Sequence, residues 1–217
     1  MLTIYHNSSY TKEKLYVFRV IFEEWLGINY HTVETNISDI CITSDKDSKI
    51  KKISICEVLF STHLDLWLTL EALPQQPLKQ IYFKNSSIIE PSLVHSEVPV
   101  IYGKSNQKEN CLEIDENQTL HLGIDIFGSI FFMITRYEEC VKNEMDNHER
   151  FPAHASLAYQ EGFLTRPIVN EYLEILWSCL QLLDPLLNRK KRQYSLFLTH
   201  DVDHPLALIQ KSFFRIS

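Results

Sequence analysis

Apolar residues recur at helical spacing in two long stretches of the chain. Between Thr11 and Leu26 they fall mostly on one side of a helix, with Thr11 as a predicted N-cap and Gly27 as a stop. The stretch from Pro167 to Leu183 repeats this pattern and predicts a second amphipathic helix. The stretch from Asp125 to Cys140 is apolar at first and charged at its end, which predicts a buried helix that reaches the surface near Arg136.

Other segments alternate apolar and polar residues, which is the period of a β-strand. Ile40–Thr43 and Ile50–Val58 flank the polar stretch Ser44–Lys49, and together they predict a β-hairpin. Further strand candidates are Ile28–Thr35, Gln80–Phe83 and Val98–Tyr102. This mixture of helices and strands predicts an α/β fold, a mixed sheet with packed helices, and leaves an α+β arrangement as the alternative.

The charge balance and the hydropathy of the chain exclude two classes of partner. Its 21 basic and 28 acidic residues give a net charge of -7 with no basic patch, so we expect no nucleic-acid binding. Neither a signal-peptide pattern nor an apolar run of about 20 residues is present, so we expect no membrane span and a cytoplasmic location.

The cysteines are odd in number, widely spaced and without a C-x-x-C pair. This pattern predicts free thiols in a reducing compartment rather than disulfides or a zinc site. The alternative, one nucleophilic cysteine, requires a histidine nearby in space. The five residues are Cys41, Cys56, Cys111, Cys140 and Cys179.

A possible catalytic motif follows the apolar stretch Tyr194–Thr199, which has the pattern of a short buried strand. In extended backbone Asp201 and Asp203 point to the same side. Such a pair of carboxylates can divide labour, one holding a divalent metal and the other taking a proton from metal-bound water. The alternative is that Asp203 caps a following helix and Asp201 lies at the surface, and the spacing does not decide between the two.

The residues Leu196–His204, read as Leu-Phe-Leu-Thr-His-Asp-Val-Asp-His, resemble the opening motif of the polysaccharide deacetylase superfamily. The resemblance implies a distorted (β/α) barrel that hydrolyses N- or O-acetyl groups of an envelope or capsular glycan. It also implies that Asp201 is the catalytic base and that Asp203 is a ligand of zinc or a similar metal.

Four segments of the preceding chain resemble the region found before such barrels in a group of bacterial proteins. They are Asp125–Ser129, Arg136–Glu139, His148–Ala153 and Glu161–Leu164. The resemblance therefore divides the chain into an accessory α/β domain, residues 1–190, and the first strand of a barrel, residues 191–217.

Members of that superfamily complete their metal site with two histidines on a later part of the barrel. After Asp203 this sequence contains only His204. A barrel of roughly 200 residues or more does not fit into the remaining segment. We therefore expect this chain to bind no metal tightly and to be inactive by itself, as a truncated part of a deacetylase-like protein.

Two further groups of residues are candidates for an independent site. His200 and His204 have the spacing of zinc ligands on a helix, although Pro205 argues against a helix there. His148 and His154 lie near each other in a polar loop. They would form a hydrolase site if the fold brought them to Arg136 or Glu138, and the alternative is that all four make structural hydrogen bonds.

These observations leave two main functional hypotheses. In the first, the chain is a fragment of a metal-dependent deacetylase. In the second, residues 1–190 form a non-catalytic module that positions the barrel, binds glycan or binds another protein. Apolar residues of the C-terminal tail, such as Leu198, Leu208 and Phe213, also predict a homodimer or docking of the tail.

Overall fold

The computed structural model describes residues 1–83, 86–104, 111–191 and 193–199. Its centre is a six-stranded mixed sheet in the order β2-β1-β3-β4-β8-β7, and a separate hairpin pairs β5 with β6. The strands are β1 (Leu2–His6), β2 (Tyr30–Glu34), β3 (Ile40–Ser44), β4 (Lys52–Ile55), β5 (Lys79–Tyr82), β6 (Glu97–Val100), β7 (Leu112–Ile114) and β8 (Thr119–Leu122).

The longer helices pack against one another, and the last of them contacts the sheet. The ring of Phe127 contacts the rings of Phe18 and Phe22. The helix that contains Phe127 also contacts the last helix, which in turn contacts β4. The helices are α1 (Thr11–Phe18), a π-helical continuation of it (Arg19–Leu26), α2 (Ile126–Ile134), α3 (Tyr137–Val141), α4 (Leu157–Gln160) and α5 (Ile168–Leu183). The predicted fold class, a mixed sheet with packed helices, is confirmed.

The two faces of the sheet differ in chemistry because side chains alternate along each strand. One face carries Ile4, Ile42, Ile53 and Leu120, which are fully buried under the helices. The residues between them are mostly polar and belong to the opposite face. Burial of apolar area drives the first face inward, and the second face is left for other contacts.

Several predicted elements are confirmed. The hairpin of β3 and β4 pairs Ile42 with Ile53, and α5 ends at Leu183 as predicted. The first helix ends at Gly27, whose φ of 66° is easily reached by glycine. The predicted cap is wrong by one residue, because Tyr10 is the N-cap of α1 and Thr11 is its first residue.

The predicted helix from Asp125 to Cys140 is instead two helices. Arg136 lies between them with a left-handed φ of 55°, so the axis changes direction there. The break turns Tyr137 back into the core, where it is 2% exposed and its hydroxyl accepts a hydrogen bond from Leu68 N at 2.7 Å. The gain from burying this ring offsets the strain at Arg136.

The strand predicted at Tyr194–Thr199 is wrong for the part that the structure describes. Residues 193–199 pair with no described strand, and Phe197 is 84% exposed. The last described backbone contact before this segment is Lys190 N to Leu26 O, at the end of the first helix rather than at a sheet edge. Asp201, Asp203, His200 and His204 lie outside the described residues.

Within the described ranges, no helix has both the length and the apolar character needed to cross a membrane.

The buried carboxylate of Asp125 connects β4, β8 and α2. It follows β8, caps α2 by accepting from Gly128 N at 2.8 Å, and accepts from Val58 N and Leu59 N at 2.8 and 2.9 Å. Burial raises the pKa of Asp125 to about 6, although these three hydrogen bonds act to lower it.

We expect the carboxyl group of Asp125 to titrate near pH 6 in the folded chain, rather than at its ordinary value of 3.8. Between these values the folded chain holds a proton that the unfolded chain has lost. This group therefore favours the folded state at low pH, and about 3 kcal/mol of that contribution is lost as the pH rises from 4 to 6. A ¹³C NMR titration of the side chain measures the pKa, and a midpoint below 4 would show that the hydrogen bonds outweigh burial.

Candidate functional site

A cleft of about 950 Å³ lies between the polar face of the six-stranded sheet and the hairpin of β5 and β6. β4, β7 and β8 supply one wall, and β5 supplies the other together with the turn at residues 71–77. Polar side chains of both walls converge on it, as is usual for ligand sites. They are Asp39, Ser54, Glu71, Gln75, Gln76, Lys79, Gln80, Lys104, Glu113 and His121.

The strand register arranges part of this wall as a line across the sheet. Residues that are paired directly across neighbouring strands point to the same face. Tyr5 pairs with Cys41, Cys41 with Ser54, Ser54 with His121, and His121 with Glu113. We call these five residues the polar row, and the last three of them line the cleft.

Asp115 fixes the imidazole of His121. His121 Nε2 lies 3.0 Å from Asp115 Oδ2, while Asp115 Oδ1 accepts from Thr119 N and Asn117 N. The hydrogen bond from His121 is the main reason that the pKa of Asp115 is lowered. An imidazole held by one nitrogen keeps the other, Nδ1, for a ligand, and no described residue binds it.

A second fixed pair lines the cleft, where Lys104 Nζ donates to Asp39 Oδ1 at 2.5 Å. Partial burial acts to lower the pKa of Lys104, but the hydrogen bond and charge of Asp39 outweigh it, so this pKa is raised. Gln75, Gln80 and Glu113 make no side-chain hydrogen bond to any residue that the structure describes. Their polar groups are available to a ligand.

The thiols on this face are protonated at neutral pH. Burial raises the pKa of Cys56 to about 12 and of Cys111 to about 11, and it raises the pKa of Cys41. Cys41 Sγ donates to Asp39 O at 3.8 Å, and Ser54 makes no hydrogen bond to His121 or to another described base. These groups are therefore not prepared as nucleophiles, because a thiolate or a serine paired with a base would be needed.

A closed ionic cluster lies where β1 and β4 end. Lys14 Nζ is 3.3 Å from Glu57 Oε2 and donates to Asn7 Oδ1 at 2.7 Å, and Asn7 Nδ2 donates to Glu57 Oε1 at 2.8 Å. Lys14 and Glu57 have no exposed side-chain area, and burial lowers the pKa of Lys14. Every charge there has a partner, so the cluster joins α1 to the sheet.

Comparison with known proteins identifies a family. The model of a family of unknown function, DUF7033, matches residues 2–185, which include all eight strands and the whole of α5. The chain belongs to this family. No curated protein and no solved structure matches it significantly.

In this member of the family, Arg136 and Glu138 make structural contacts. Arg136 Nε donates to Glu139 Oε1 at 2.5 Å on the surface. Glu138 Oε2 accepts from Leu157 N at 2.8 Å and lies 3.5 Å from Lys142 Nζ. The bond from Leu157 holds α3 to the start of α4, and the contacts of both residues correspond to the structural alternative for this pair.

His148 and His154 are both exposed. His148 N donates to Asp146 Oδ1 at 2.7 Å in a tight turn, and His154 contributes its carbonyl oxygen to Gln160 Nε2. No three histidine, cysteine or acidic side chains lie close enough to hold a metal ion within the described residues. The structure does not bring these histidines to Arg136 or Glu138 through any described contact.

Sequence reasoning missed both the cleft and the buried ionic cluster. One local signal was present for the cleft, since Ser54 and His121 are polar residues that each lie between two apolar residues of a strand. For the cluster, the signal was Lys14 among the apolar positions of the first helix. Neither signal identifies the residue on the facing element, because that depends on the strand order.

We expect Lys14→Met alone to lower the free energy of unfolding by about 3–5 kcal/mol, because it leaves the charge of Glu57 buried without its partner. The double variant Lys14→Met with Glu57→Leu should recover most of this loss. Lys12→Met changes an exposed lysine of the same helix and serves as the control. Urea unfolding measures the free energy of unfolding of all three variants. Equal values for Lys14→Met and Lys12→Met would contradict the account.

Proposed function

We propose that residues 1–190 form the non-catalytic accessory domain of a polysaccharide-deacetylase-like protein, and that this domain binds glycan in its cleft. The likeness of Leu196–His204 to the deacetylase motif supports the first part. In this proposal Asp201 is the base and Asp203 is a ligand of zinc or a similar divalent metal. Both lie outside the described residues, so these roles rest on the motif alone.

The observation that carries the glycan proposal is the mixture of hydrogen-bonding groups in the cleft. A sugar hydroxyl both donates and accepts hydrogen bonds. Side chains that do both, such as Gln75, Gln80 and the imidazole of His121, lie beside pure acceptors such as Glu113. A ligand with many hydroxyls satisfies this set better than an apolar or strongly charged one.

One other feature of the site favours binding over chemistry in this domain. No hydrogen bond joins Ser54 to His121, and the cleft thiols are protonated, so no activated nucleophile faces His121 in the described part of the cleft. The net charge of -7 also disfavours polyanions as ligands. The proposed role is to hold a glycan chain for a reaction at Asp201 and Asp203.

We expect the chain to bind the β-1,4-linked tetramer of N-acetylglucosamine, as measured by calorimetry. His121→Ala should weaken binding about tenfold, the effect of one lost hydrogen bond. His148→Ala removes an exposed loop histidine and should leave the affinity unchanged.

The double variant Asp201→Ala, Asp203→Ala should also keep the affinity, because the proposed site is the cleft. Loss of binding in this variant, with none in His121→Ala, would place the glycan at the motif and contradict the accessory role. No binding by the unaltered chain would contradict the glycan proposal.

We also propose that the C-terminal tail docks on a protein surface, which includes the surface of a second copy of the chain. Leu196, Phe197 and Leu198 are consecutive and largely exposed, and such apolar segments are normally covered. If the chain dimerises through the tail, changing all three residues to serine should dissociate the dimer, so that the mass in solution becomes that of the monomer. Leu186→Ser, at another exposed leucine, is the control, and an unchanged dimer would contradict tail-mediated pairing.

A further inference from the structure

The polar row does not stop at the edge of the cleft. From Glu113, His121 and Ser54 it continues through Cys41 on β3 to Tyr5 on β1. Cys41 and Tyr5 are half-buried, so part of each side chain reaches the surface. The cleft is therefore one end of a longer polar surface on the sheet.

We propose that this surface binds a linear glycan that crosses the strands along the polar row, from Glu113 in the cleft to Tyr5. The inference rests on the glycan proposal for the cleft and extends it to the size and direction of the ligand. β7 and β1 are separated by four steps from one strand to the next, which corresponds to a distance of about 19 Å across the sheet. One sugar ring of an extended glycan spans about one such step, so the surface accommodates about five rings.

The residues along this path suit a glycan at each step. The exposed side chains of His121 and Glu113 offer hydrogen bonds, Ser54 between the strands is 8% exposed, and the ring of Tyr5 offers an apolar plane with a polar tip at the far end. A parallel line of side chains lies beside the polar row on the same face, where Thr3 Oγ1 contacts His31 Nε2 at 3.1 Å. Thr43 and Lys52 continue this second line.

The same surface suits a protein partner poorly. Stable protein interfaces depend on buried aromatic or aliphatic anchors surrounded by a polar rim. Here most apolar residues of the six-stranded sheet, such as Ile42 and Ile53, face the helices, and Val33, which pairs with Tyr5, is an exception at the β2 edge. Tyr5 is the single aromatic residue of the polar row, at one end of it. A ligand that binds through many small polar contacts is therefore the better occupant.

The test is calorimetry with β-1,4-linked N-acetylglucosamine oligomers of two to seven rings and the 217-residue chain. Affinity should rise with length and level off at about five rings, the number of strand positions along the row. Tyr5→Ala should weaken the pentamer about tenfold and leave the dimer unchanged, because only the longer oligomer reaches β1. Tyr159→Ala, at an exposed tyrosine of α4, should change neither.

The outcomes separate this inference from the proposal on which it rests. Affinity that levels off at two or three rings, or a Tyr5→Ala variant that binds the pentamer normally, would confine the glycan to the cleft and overturn the extended path alone. Absence of binding at every length would overturn both. Circular dichroism of Tyr5→Ala checks that a lost affinity is not lost folding.

Discussion

The position of the cleft depends on one buried carboxylate. Asp125 accepts hydrogen bonds from Val58 N, Leu59 N and Gly128 N, so it joins the chain after β4 to the beginning of α2. Its own N–H donates to Tyr102 O, which places the chain after β6 against the sheet. The Cβ of an alanine at Gly128 would lie 2.4 Å from Asp125 Oδ2, so this hydrogen-bonded arrangement also requires glycine at position 128. The carboxylate and the backbone N–H of Asp125 thus position Val58 and Tyr102, which both line the cleft.

The division of the sheet into two faces follows from alternation along the strands. The apolar residues of β1, β3, β4 and β8 share one face, and burying them under α1, α2 and α5 leaves the other face polar. The exposed polar residues of that face, such as His121 and Glu113, cost little to maintain, because water satisfies them when no ligand is bound. Fold and candidate site are therefore two consequences of the same pattern.

Local sequence patterns predicted individual helices and strands better than the contacts between them. Gly27 ends a helix because it adopts a left-handed φ, and the hairpin of β3 and β4 follows from alternation around a polar loop. The break at Arg136 was not predictable locally, since it depends on burying Tyr137 beside Trp67, far away in sequence. The cleft was missed for a similar reason, because Ser54 and His121 become neighbours only when β4 pairs with β8 in parallel. The motif at Asp201 and Asp203 was recognised from sequence and stays a prediction.

The most direct test of the account is to map the ligand on the protein by NMR. Backbone amide signals of the ¹⁵N-labelled chain are followed while the β-1,4-linked pentamer of N-acetylglucosamine is added. The account predicts that the largest shifts fall on Ser54, His121 and Glu113, with smaller ones at Tyr5 on β1. Shifts confined to the helices or to residues 193–199, or no shifts at all, would contradict a glycan site on the polar face of this sheet.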